Sequence, residues 1–142
     1  MRKKLGFLIA ASLLLIPSAL ATDFVTKSNL TGFQLPKGAL ELTDDDFSEE
    51  MVEVLDATAA ELNGKCQYHE LLFWEGKPAA IAKDLNAKIP KDFKYKSLDV
   101  GETSDGGVYE QFVLTTPKMW VAGTWFQGEA DVVLAWCTVV KK

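Results

Sequence analysis

Arginine is almost missing from this chain: Arg2 is the only one among 142 residues, against fourteen lysines. Guanidinium forks dominate contacts to phosphate and to guanine edges, so their absence beyond residue 2 argues against a nucleic-acid partner. Histidine is equally scarce, with His69 alone. One imidazole cannot build a zinc site by itself, and a Ser–His–acid site would have to use it. No serine lies in a Gly-x-Ser-x-Gly turn, and beyond residue 21 the chain offers only Ser28, Ser48, Ser97 and Ser104. Phosphate-cradling loops are also lacking, since Gly101 to Gly107 has neither the Lys-Ser/Thr ending nor a following helix. No cofactor motif remains, and no cofactor is expected.

Long apolar runs are limited to one, Leu5 to Ile16, which follows Arg2, Lys3 and Lys4. It is too short to span a hydrocarbon core of about 30 Å. Pro17 and Ser18 break it, and Ala19-Leu20-Ala21 places small residues at −3 and −1. Residues 1–21 read as a cleaved secretory signal of bacterial style, with Thr22 as the mature N-terminus. The expectation is a secreted or periplasmic protein with no membrane insertion after cleavage. The remaining 121 residues suffice for one domain with a hydrophobic core. Losing three positive charges takes the formal net charge from −5 to −8. An anionic lipid surface would repel such a chain, whereas cationic or neutral partners remain open. Acidity also keeps an exported protein soluble.

Cys66 and Cys137 are the only cysteines. Their spacing is not the Cys-x-x-Cys of redox catalysis, and an exported pair is expected to close as a structural disulfide. On the chain-entropy model, such a bridge across 71 positions removes about 4 kcal/mol of denatured-state freedom.

Residues 22–42 hold no helical period and read as an irregular arm, with at most a short strand, ahead of a single domain over 43–142. Thr43 is a good helix N-cap, Leu42 and Phe47 fit a hydrophobic staple, and Asp44, Asp45 and Asp46 suit the first turn. Phe47, Met51, Val54, Leu55, Ala59 and Leu62 follow at helical spacing, and Asn63-Gly64 closes the helix. The acids of this stretch fan outward along a helix start, so capping explains them better than a calcium loop does. Residues 66–74 read as a strand. Pro78 opens a shorter helix that stops at Pro90. Four strand-like runs follow near 92–100, 107–115, 118–126 and 131–140, joined by turns at Ser104-Asp105-Gly106-Gly107, Thr116-Pro117 and Gln127-Gly128-Glu129. Connections this short force antiparallel neighbours.

Tight pairing through those turns sets Leu114 against Met119, Phe112 against Val121, Val108 against Trp125, and Val121 against Trp136. One face is then almost wholly apolar, with Phe93, Tyr95 and Leu134 added. The other is mixed and carries Lys94, Lys96, Tyr109, Gln111, Val113, Trp120, Ala122, Thr124, Ala135 and Cys137. The fold expected is α+β, with two helices packed on one face of a largely antiparallel sheet of about five strands. The helices bearing Met51 and Ile81 would cover the apolar face, and the strand at 66–74 would lie beside the last strand because of the cysteine pair. His69 shares a face with Leu71 and Phe73 and reads as structural.

Tyr109, Gln111, Trp120 and Thr124 form the candidate binding patch, since exposed aromatics are enriched at interface hot spots. The competing expectation is that the 22–42 arm folds across that face and buries them. No catalytic residue and no metal ligand stands out. The functional reading is an exported, non-enzymatic binding or accessory module that engages a protein or a small ligand. The alternative is a small hydrolase acting on an envelope polymer through a carboxylate pair, for which Glu70, Asp99 and Glu110 come from strands. A third reading makes a second copy of the chain the partner, through a sheet edge or the mixed face. No motif points to a particular family.

Overall fold

The computed structural model describes residues 24–103 and 106–142. The expected signal over 1–21, and the Ser104-Asp105 part of one turn, lie outside the described residues. Strand β1 (Leu40–Leu42) leads through a 3-10 turn (Asp44–Asp46) into helix α1 (Glu49–Ala60) and strand β2 (Gly64–Glu75). Helix α2 (Pro78–Lys88) and strands β3 (Lys94–Glu102), β4 (Val108–Thr115), β5 (Trp120–Gln127) and β6 (Asp131–Lys141) complete the chain. The strands form one six-stranded sheet in the order β1-β2-β6-β5-β4-β3, antiparallel at every pairing. The α+β class is as expected. The sixth strand is β1, drawn from the end of the arm, whose Leu40 and Leu42 alternate inward and pair with Phe73 and Leu71.

Helix starts differ in detail from expectation. The cap of α1 is Ser48, whose Oγ accepts from the Met51 amide at 3.1 Å, and not Thr43. Thr43 opens the 3-10 turn, where Asp46 Oδ2 accepts from the Thr43 amide at 2.8 Å. After α1, Asn63 takes the left-handed conformation (φ 54°) that reverses the chain. Pro78 occupies the first turn of α2, and Ile89 is extended because Pro90 follows it. Cys66 and Cys137 are bonded, tying β2 to β6. Among the described residues, no helix is long and apolar enough to cross a membrane.

Strand register is displaced by two residues from the expected pairing. Leu114 faces Val121, Phe112 faces Gly123, Val108 faces Gln127, and Gly123 faces Trp136. The expected pairing centred the turns on Thr116-Pro117 and Gly128-Glu129, one residue earlier than the structure does. Instead, Pro117-Lys118 turns between Thr116 and Met119, whose backbones bond at 2.9 Å, and Thr116 Oγ1 accepts the Lys118 and Met119 amides. Likewise, Gly128 and Asp131 close the β5–β6 turn. A two-residue shift preserves which face each side chain occupies. It also places Gly123 between Phe112 and Trp136, where a Cβ would run into the Phe112 ring.

The cover of the sheet departs from expectation. The two helices lie on opposite faces. Met51, Leu55 and Ala59 of α1 pack with Ala122, Phe126, Ala135, Cys137 and Tyr109, on the face expected to be mixed and open. Ile81 and Leu85 of α2 pack with Phe112, Val121, Trp125, Leu134 and Trp136. Most of the arm joins α2 through Phe33, Leu35 and Ala39, while its end in β1, Leu40 and Leu42, packs with α1. Alanine, threonine and cysteine make the first face a shallow bed on which a helix can seat closely. Thr58 of α1 meets the one buried amide there, accepting from Gln111 Nε2 at 3.0 Å. The aromatic face is bulkier and is covered piecemeal.

Candidate functional site

The four side chains of the sequence-derived binding patch do not form an exposed surface. Tyr109 is 5 % exposed, Gln111 7 % and Thr124 1 %, all beneath α1. Gln111 is held by Thr58, and the Tyr109 hydroxyl donates to Asp99 at 3.2 Å. Trp120 is half-buried at the rim, with Lys141 Nζ 5.3 Å from its ring centroid. On this face Gln111 therefore fastens the helix to the sheet, and Tyr109 fastens β4 to β3.

Cys66, His69 and Asp56 bring their ligand atoms within 4.8 Å of one another. The Cys66 sulfur is spent in its bond to Cys137, which removes the thiolate such a group would need. His69 packs edge-on against Phe47, with ring centroids 5.5 Å apart, in keeping with a structural residue.

The three strand acids do not converge. Asp99 shares a face with Gln111, whereas Glu110 points to the opposite side. Glu70 and Glu110 share a face but stand on β2 and β4, three strand spacings or about 14 Å apart. Carboxylate pairs in glycosidases stand about 5–10 Å apart. Glu70 is moreover occupied. Its Oε1 accepts from Ser28 Oγ at 2.6 Å and from Trp136 Nε1 at 2.7 Å, and its Oε2 accepts the Asn29 amide at 2.9 Å. This buried carboxylate clasps the arm to the sheet.

Glu110 has a different setting. Within β4 the inward stripe runs Val108, Glu110, Phe112, Leu114, so one carboxylate interrupts an apolar series. Its register neighbours are Val100 on β3 and Trp125 on β5. It makes no hydrogen bond or ion pair among the described residues, and burial raises its pKa above the ordinary carboxylate value. It lines a cleft of about 160 Å³ between α2 and the sheet. Phe112, Trp125 and Trp136 form the inner wall, Leu85 and Ile89 the helix side, and Tyr95 and Val100 the mouth. Trp125 Nε1 donates to Gln127 Oε1 at 2.8 Å, which sets the indole plane along one wall.

The cleft follows from where α2 is placed. A six-stranded sheet is about 24 Å wide, while the eleven residues of α2 span about 16 Å. Helix α2 sits toward β6, and Phe33 of the arm contacts Trp136 and Phe93, leaving β3 and the Val108–Glu110 end of β4 thinly covered while Phe112 and Leu114 stay buried. Tyr95 and Val100 are consequently 54 % and 61 % exposed. A larger groove of about 720 Å³ runs along the start of α1 beside Phe47, Tyr68 and His69, but it opens broadly to solvent. The signal that could have located the cleft was Glu110 itself, an acid at a core-facing position of an alternating strand.

No family model, curated protein or solved structure matches the chain.

Proposed function

We propose that this is an exported, non-enzymatic binding module that holds a small, flat, cationic ligand in the cleft under α2. The observation that carries the reading is Glu110, a carboxylate half-buried among aromatic rings with no partner of its own among the described residues. A protonated amine would supply the missing charge, and the Trp125 indole beside Glu110 favours a cation with an apolar body. Size narrows the class further, because a cavity of about 150 Å³ accommodates one six-membered ring. The acidic chain also attracts cations from solution. Export is supported by the signal pattern over 1–21 and by the bonded cysteine pair, which persists in oxidising compartments. A bacterial envelope or extracellular setting fits the style of that signal.

The test is tryptophan fluorescence during titration with benzylamine and with benzyl alcohol, its neutral counterpart. At about 0.5 kcal/mol per non-hydrogen atom, benzylamine should bind with a Kd of roughly 1 mM. Benzyl alcohol should bind more weakly, and Glu110→Gln should erase the difference. Amine binding should also weaken as pH falls through the raised Glu110 pKa, since protonation removes the charge it needs. Equal affinity for the two compounds in the wild type would refute the cationic preference. No saturable signal from either would refute the cleft.

A further inference from the structure

The two edges of the sheet are finished differently. β1 is three residues long, and Phe24 bridges to Leu40 on its outer side. β3 is nine residues long and, among the described residues, pairs only with β4. It also carries two of the four exposed large hydrophobic side chains, Tyr95 and Val100, on one face. A long open edge with apolar side chains is a template for another strand.

The composition of that edge selects the strand. Along Lys94–Glu102, the positive charges Lys94 and Lys96 lie in the first half and the negative charges Asp99 and Glu102 in the second. Parallel pairing of two copies in register would set Lys96 beside Lys96. Antiparallel pairing brings opposite charges together. The bulge fixes where the twofold axis must fall. Leu98 is the extra residue, so on the β4 ladder Tyr95, Ser97 and Val100 sit at the evenly spaced positions of Leu114, Phe112 and Glu110. An axis at Ser97 therefore pairs Ser97 with Ser97, Lys96 with Asp99, Tyr95 with Val100, and Lys94 with Gly101. Every pair lies on a common face. Each exposed apolar side chain meets the other kind, an aromatic against a β-branched residue, which is a favourable cross-strand pair.

We infer that β3 pairs antiparallel with β3 of a second copy about a twofold axis at Ser97, making one continuous twelve-stranded sheet. Lys94 and Lys96 deter other strands and accept this one. Tyr95 and Val100 also stand at the mouth of the cleft, so each copy extends its partner's rim, but the pairing depends only on the edge and not on what the cleft holds. One strand pair is a small interface, so the dimer exists in a concentration-dependent equilibrium.

Ser97→Cys tests the register. Residues directly opposite in an antiparallel pair have Cα atoms about 4.5–5.5 Å apart, within disulfide reach. The variant should give a covalent dimer on non-reducing electrophoresis under mild oxidation. Lys94→Cys is the control, because the same axis separates its two copies by about 20 Å. Sedimentation equilibrium of the wild type should show the mass rising from monomer to dimer with concentration. Val100→Lys, at an exposed position and with circular dichroism to verify folding, should raise the dimer Kd about tenfold, since the axis removes the contact twice. A wild type of monomer mass at every concentration, or cross-linking of Lys94→Cys as fast as Ser97→Cys, overturns the assignment.

Discussion

The two faces of the sheet are covered by different means, and the difference accounts for where the cleft lies. On the α1 face, small side chains receive one helix along its length, the buried amide of Gln111 finds Thr58, and a disulfide pins β2 to β6 beside it. On the α2 face, three tryptophans and Phe112 are covered by a helix of nearly the same length and by an arm. Large rings leave gaps under such a cover that small side chains do not. The first face is therefore closed over its core, with open grooves only along the flanks of α1, and the second keeps a cleft among its rings.

Breaking the closed face should cost most. Replacing Cys66 and Cys137 by serine should lower stability by about 4 kcal/mol, seen as a fall in the urea midpoint, with the same loss produced in wild type by a reductant. Next come two truncations that compare the faces directly. Leu55→Ala beneath α1 should cost about 3 kcal/mol, because nothing can fill the hole. Leu85→Ala on α2 should cost about 2 kcal/mol, because it borders a space that is already open. Equal costs in thermal unfolding would mean that the cleft face is packed as tightly as the other.

The smallest effect belongs to Glu110. Its folded pKa lies above the unfolded value because burial disfavours the charged form. Its contribution to stability is thus fully present below the unfolded pKa and fades as pH rises through the folded one. Glu110→Gln should flatten that decline, leaving the variant slightly more stable than wild type near neutrality and no more stable in acid. A parallel pH dependence in variant and wild type would show that the carboxylate is fully hydrated.

Much of the fold could be read locally. Pro78, Pro90, Asn63 and the alternating strands fixed where elements begin and end, because caps and turns act over three or four residues. Side-chain parity also survived, since a two-residue register shift leaves every residue on its face. The cover of each face could not be read in this way. An alanine–threonine surface looks solvent-facing in a strand pattern, yet the same small residues admit a helix. Strand pattern alone leaves Tyr109, Gln111, Trp120 and Thr124 either open or covered by the arm, and it gives no sign that α1 is the cover. Glu110 was visible as an acid in an apolar stripe, but its significance needed α2 to stop short of β3.

The chain by itself determined the class of the domain, its cysteine bond and the faces of its strands, because these rest on short-range periodicity, turn chemistry and a single available pairing. Only tertiary structure decided which segment covers which face, where the sheet is left bare and which acid stands alone. Those outcomes depend on the lengths and shapes of segments distant in sequence, which no local pattern encodes.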